Sequence, residues 1–106
     1  MRVLFDQGTP APLRHGLLPH TVETAYERGW STLGNGELLQ AAEAAGFEVM
    51  ITTDVNLRYQ QNLGERRIAI VVLSTTSWPR IRVATEDVAS AVARSATERF
   101  IEVHIP

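Results

Sequence analysis

Two runs constrain the fold of this chain more than anything else in it. Val49-Met50-Ile51 and Ile68-Ala69-Ile70-Val71-Val72-Leu73 are apolar without alternation. A strand with one face in water alternates apolar and polar side chains, and a strand with neither face in water does not. Both runs are shorter than a typical helix, and both end in small polar residues, Thr52-Thr53 and Ser74-Thr75-Thr76-Ser77. They therefore read as interior strands of a parallel sheet. A parallel sheet needs crossovers, so the stretches between strands have to supply helices.

The rest of the chain meets that demand. Arg2-Val3-Leu4-Phe5 is a first strand ending at Asp6. Thr9 as N-cap and Pro10 as first residue open a short helix over residues 11–16, with Leu13 and Leu17 inward, and Pro19 breaks it. Residues 20–24 alternate as a second strand with Val22 buried. Residues 25–28 make one helical turn that Gly29 stops, and Trp30 packs on the core edge. The clearest helix opens at Gly34-Asn35-Gly36-Glu37, with Asn35 as N-cap and Glu37 in the first turn. Leu38, Leu39, Ala42 and Ala45 give its inward spacing, and Gly46 stops it. Pro79 or Arg80 opens the last helical region. Thr85-Glu86-Asp87 lies near its main start, and Val88, Val92 and Ala96 face inward. Phe100, Ile101, Val103 and Ile105 form a last strand at an edge. Strands alternating with helices predict a three-layer α/β/α fold with a mostly parallel central sheet, as one domain over residues 1–106. Right-handed crossovers would put all the parallel strand ends on one side, where Asp6, Asp54 and the loop over residues 74–77 face the same crevice.

Composition narrows the function. The chain has 106 residues and a formal net charge of −2, which does not suit a basic nucleic-acid binder acting through its whole surface. It has no cysteine, which excludes disulfides and thiolate metal sites. His15, His20 and His104 have no metal-ligand spacing. No apolar run approaches the length of a membrane span, and Met1-Arg2 is followed by only three apolar residues before Asp6. A cytoplasmic protein with no membrane partner is the expectation.

Three carboxylates stand where chemistry is expected. Asp6 and Asp54 each follow an apolar strand, and ligands of open α/β sheets bind outside the C-terminal strand ends. Glu37 stands at a helix start. The loop over residues 74–77 belongs to the same end. Clustered carboxylates repel, so they need a cation or a shared proton. Oxygen ligands with room for water suit Mg²⁺ or Mn²⁺. The competing reading is that each Asp only caps a turn, and that Glu37 only answers the helix dipole. Arg58, Arg66 and Arg67, with Tyr59 and amides between them, have the composition of a single-strand RNA contact, as do Arg80 and Arg82 beside Trp78.

The ordered set of motifs resembles the PIN-like family of small prokaryotic proteins, relatives of the PIN-domain toxin ribonucleases. The resemblance rests on Leu4-Phe5-Asp6-Gln7-Gly8-Thr9-Pro10, on Gly29-Trp30 leading to Gly34-Asn35-Gly36-Glu37-Leu38-Leu39, and on Thr52-Thr53-Asp54-Val55-Asn56-Leu57. It spans nearly the whole chain. It implies a PIN-like fold in which Asp6, Glu37 and Asp54 are catalytic and hold Mg²⁺ or Mn²⁺ for RNA hydrolysis. It also implies Arg58, Asn56 and Asn35 as substrate contacts, RNA as substrate and a small antitoxin protein as partner; a homodimer is compatible with it. Two positions depart from the wider pattern. Asn35 and Asn56 stand where aspartate is common in the family. Each keeps an oxygen ligand and removes a negative charge, which weakens divalent-ion binding. Two functions follow: a Mg²⁺-dependent ribonuclease of the toxin type, or a non-catalytic PIN-like module that binds RNA or a protein partner.

Overall fold

A computed structural model describes residues 1–57 and 62–106 of the chain. The order is β1 (Arg2–Phe5), a 3-10 helix (Ala11–Leu17), β2 (Thr21–Thr24), α1 (Asn35–Ala44) and β3 (Val49–Thr52). A 3-10 turn (Leu63–Glu65) and β4 (Ala69–Leu73) follow. Then α2 (Trp78–Ile81) runs through a 3-10 turn (Arg82–Ala84) into α3 (Thr85–Arg94), and β5 (Phe100–Val103) ends the sheet. The five strands form one sheet in the order β2-β1-β3-β4-β5, and every pairing is parallel. The α/β class expected from the two apolar runs is therefore the observed one. Both runs are interior strands: β3 lies directly beside β1, and β4 lies one place further on.

The pleat explains why those runs lack alternation. Successive side chains of a strand point to opposite faces. On one face Val3, Phe5, Val49, Ile51, Val71 and Leu73 pack with Leu13 and Leu17 of the first 3-10 helix and with Val88, Ala91 and Val92 of α3. On the other, Leu4, Met50, Ile70 and Val72 pack with Leu38, Leu39 and Ala42 of α1 and with Phe47 and Leu57. Every residue of β3 and β4 is buried. Burying each large aliphatic side chain contributes about 1.5–3 kcal/mol, so a polar residue anywhere along these strands is costly.

Helix ends account for several differences from the sequence reading. Gly34, not Asn35, is the N-cap of α1, and Asn35 is its first residue. The Glu37 carboxylate accepts the Gly34 N–H at 3.2 Å, the half of a capping box that a glycine N-cap can still offer. At the other end Gly46 has φ +85°. The Phe47 N–H reaches the Ala42 carbonyl and the Gly46 N–H reaches that of Glu43, which is a Schellman stop with Phe47 packed beneath it. Trp30 meets the Phe47 ring edge-on at 6.1 Å, as expected of a core-edge residue. Thr9 does not cap the first short helix; its buried hydroxyl is used elsewhere. Residues 25–29 form turns rather than a helical turn. Val22 is only half-buried because β2 is an edge strand. Ala96 is exposed, and Ala91 and Ser95 hold the inward positions instead.

The connections do not all share one hand. The β1–β2 and β4–β5 links both pack on the first face, yet they move across the sheet in opposite directions. Two such links have opposite hands, so uniform right-handed crossovers do not hold here. The first link offers only a seven-residue 3-10 helix to an apolar face of five strands, and α3 packs back against it to complete the cover.

A charged clamp fixes the start of β4. Glu43, on the last turn of α1, accepts hydrogen bonds from the Arg67 N–H at 2.6 Å and the Arg66 guanidinium at 3.0 Å, and lies 3.4 Å from the Ile68 N–H. Burial pushes its carboxyl up, but these donors together outweigh burial and hold it below the ordinary glutamate value. A group depressed on folding stabilises the protein above its unfolded pKa and loses that contribution as pH falls through its folded pKa. Glu43→Gln is therefore expected to lower stability by about 1–2 kcal/mol at neutral pH, and by progressively less in acid, where the wild-type carboxyl also protonates. Urea unfolding of both proteins across that pH range measures the difference.

Candidate functional site

The sheet order creates a crevice before any side chain is considered. From β1 the chain moves to β2 on one side, and β3 lies on the other. The segment after β1 carries Leu13 and Leu17 to the first face, while the segment after β3 carries Leu57 to the second. The two loops diverge, and the C-terminal ends of β1 and β3 lie open between them. This is a topological switch point of a parallel sheet, where ligands of open α/β folds bind. Asp6 follows β1 directly, and Asp54 comes two residues after β3.

One hydroxyl joins these two positions. Phe5 pairs with Ile51, so Asp6 lies beside Thr52 at the end of the register. The Thr52 hydroxyl donates to Asp6 Oδ2 at 2.5 Å and accepts the Asp54 N–H at 3.0 Å. Thr52 is 1% exposed, so this hydroxyl has no water to fall back on. The other oxygen of Asp6, Oδ1, lies 2.7 Å from the Thr9 hydroxyl, which is also 3.0 Å from the Ile51 carbonyl; its single proton serves one acceptor at a time. Asp54 Oδ1 accepts the Asn56 N–H and Oδ2 accepts from Asn35 Nδ2, both at 3.0 Å. Asn35 thus ties the first residue of α1 to the end of β3.

These contacts sort the residues picked from the sequence. Asp6, Asp54, Asn35 and Asn56 converge on one end of the sheet. Glu37 stands at the same helix start, but its carboxylate is engaged by Gly34. Among the described residues no three of His, Cys, Asp and Glu come together as a metal group, so Asp6, Glu37 and Asp54 do not form one. Arg58 lies outside the described residues. Arg66 and Arg67 precede β4 and so lie at the opposite, N-terminal end of the parallel sheet, where Arg66 is paired with Glu43. Arg80 is held by the carbonyls of Ile105 and Pro106. Among the described residues, Arg66 and Arg67 therefore stand away from the crevice, and the Arg80 guanidinium is engaged by backbone carbonyls. Glu86 and Asp87 are exposed in the first turn of α3.

The donor set fits a divalent ion only in part. Asp6 and Asp54 offer hard oxygen ligands, and each carboxylate oxygen accepts more than one hydrogen bond or ion. The neighbours that hold them are hydroxyl and amide groups, which orient the carboxylates without neutralising them. The third carboxylate of the expected set is absent from the cluster, which leaves two negative charges in place of three.

A cavity of about 670 Å³ opens beside Asp6. Its walls include Gly8, Thr24 at the end of β2, Tyr26, Thr76 and Trp78, together with the Arg14–Glu27 ion pair at 2.6 Å. Thr76 comes from the loop after β4, so that loop does share the crevice with Asp6. A Cβ at Gly8 would stand 2.5 Å from the Thr53 hydroxyl, so a larger residue there has to displace that side chain. A second cavity of about 430 Å³ lies at the opposite end of the strands, near Arg67, Arg99 and Glu43. Sequence reasoning missed Thr52, Tyr26 and Arg14. The signal for Thr52 was present, since a hydroxyl closing a wholly apolar strand needs a polar partner at the strand end.

In comparison with known proteins, no family model matches this sequence, and no curated protein or solved structure matches it either. No helix among the described residues is long and apolar enough to cross a membrane.

Thr52→Val keeps the shape of the side chain and removes the hydroxyl. It leaves the Asp54 N–H without its acceptor and Asp6 Oδ2 without its donor. The expected loss is about 1–3 kcal/mol, with Thr52→Ser much closer to wild type. Equilibrium denaturation of the three proteins checks the ordering.

Proposed function

We propose that this chain is a PIN-like, metal-dependent ribonuclease whose site is the crevice between the ends of β1 and β3. The observation that carries the reading is the joint at the switch point: Asp6 and Asp54 are brought to one place by the Thr52 hydroxyl. In this reading Asp6 and Asp54 hold Mg²⁺ or Mn²⁺. Such an ion lowers the pKa of bound water and stabilises charge on a phosphodiester. The chain's own contribution is orientation. Thr9 and Thr52 fix the Asp6 carboxylate, and Asn35 and the Asn56 backbone fix that of Asp54. Glu37 acts through the Gly34 cap, which orders the helix start that carries Asn35. The toxin half of a toxin–antitoxin pair, with a small protein partner, is the setting this reading suggests.

A specific observation favours a second reading. Glu37 is engaged in its helix cap and three carboxylates do not converge, which suits a non-catalytic PIN-like module binding RNA or a protein partner at the same crevice. Titration calorimetry with Mn²⁺ and cleavage of a varied set of RNAs separate the two. The first reading expects weak Mn²⁺ binding and EDTA-sensitive cleavage. Asp6→Asn and Asp54→Asn then each lower cleavage by about 100-fold or more, at near-unchanged or slightly higher metal-free stability. Wild type that binds RNA but cleaves none supports the second. Equal cleavage by wild type and Asp6→Asn contradicts the first.

A further inference from the structure

We infer that Tyr26 and Trp78 form a subsite for one unpaired nucleobase beside Asp6, which rests on the reading of the crevice as an RNA site. Tyr26 is 74% exposed, yet the turn that carries it is held by hydrogen bonds on both sides. The preceding Ala25 is buried and donates to the Phe5 carbonyl, so the turn is pinned to the end of β1. The Arg28 N–H reaches the Thr24 carbonyl and the Gly29 N–H reaches that of Tyr26. Thr24 and Glu27 exchange hydrogen bonds between side chain and backbone in both directions. The Arg14 guanidinium locks Glu27 from the neighbouring 3-10 helix and holds its carboxyl below the usual glutamate value. An exposed aromatic on a turn braced in this way has no packing role of its own. Trp78, across the sequence, is half-buried against the first core cluster and turns the rest of its surface to the same cavity.

The chemistry of the walls selects the occupant. Arg14 and Glu27 cancel each other at 2.6 Å, and Asp6 leaves the lining with a net negative charge. A phosphate or other anion is disfavoured inside such a cavity. A flat neutral heterocycle is favoured, because it offers a π-face to the two aromatic side chains and polar edges to Gln7 and Thr76. The volume of about 670 Å³ lies in the range of roughly 300–1,000 Å³ that small-molecule pockets occupy. A base held there keeps its own backbone at the mouth, next to Asp6, where the proposed ion would meet a phosphodiester. Recognition falls on unpaired RNA, since a base inside a duplex cannot enter a side pocket.

The test is binding, not turnover. A short oligouridylate and an abasic oligomer of equal length are titrated in Ca²⁺ buffer against wild type, Tyr26→Ala and Trp78→Phe. A Trp30→Phe background leaves Trp78 as the one remaining tryptophan of the two in the chain, so its emission reports the cavity. The subsite requires base-bearing RNA to bind more tightly than the abasic oligomer and to quench Trp78. It also requires Tyr26→Ala to weaken only the base-bearing ligand, by about 5- to 150-fold, with unchanged thermal unfolding. Equal affinity for the two oligomers, or no effect of Tyr26→Ala, overturns the subsite while leaving the crevice an RNA site. Binding of neither oligomer overturns both the subsite and the reading beneath it.

Discussion

The register between β1 and β3 holds this architecture together. Val3 faces Val49, Leu4 faces Met50 and Phe5 faces Ile51, so Asp6 arrives beside Thr52. Both strands are buried on both faces, with different helices above and below. A slip of one residue would send every side chain of β3 to the wrong face. The same slip would part Asp6 from Thr52 and break the path to Asp54. The apolar core and the polar joint at its end therefore specify one register between them. A large hydrophobic term fixes the strands, and a few hydrogen bonds of about 1 kcal/mol each fix what happens where the strands stop.

That joint has the hydrogen bonds of a turn cap, and it also holds two carboxylates in fixed orientation. Asp6 accepts from Thr9 within its own turn, and Asp54 accepts the N–H two residues on, as a capping aspartate does. Neither carboxylate is in an ion pair among the described residues. A cation at this joint, as proposed, would meet carboxylates whose orientation these hydrogen bonds already set. The contrast with Glu43 and Glu27 is instructive. Those two carboxylates face arginines, and their charge is spent on holding elements together.

Much of this was legible in the sequence, and what was missed has physical causes. The two unalternating runs named the interior strands because burial on both faces leaves no room for a polar side chain. Gly46 and the Leu38, Leu39, Ala42 spacing located α1 for equally local reasons. The N-cap of α1 was misplaced by one residue, since Gly34 offers no side chain to recognise. That the β1–β2 and β4–β5 links differ in hand was missed, because no local pattern records which face of the sheet a link will cover. At the site, strand ends located Asp6 and Asp54. The contact of the Glu37 carboxylate with Gly34 depended on a rotamer, and the positions of Arg66 and Arg67 depended on which end of β4 they precede. The cavity beside Tyr26 depends on three turns meeting, and no spacing along the chain encodes that.

We propose that the register-built joint of Asp6, Thr52 and Asp54 is a cation site and not only a pair of caps. Paramagnetic broadening of backbone amide resonances by Mn²⁺ tests it most directly, because the effect falls steeply with distance from the ion and needs no substrate. Substoichiometric Mn²⁺ should broaden residues 6–9 and 52–56 first, together with the start of α1, and Asp6→Asn should abolish that focus. Broadening centred on the exposed acids of α3, or unchanged at residues 52–56 in Asp6→Asn, would contradict the claim.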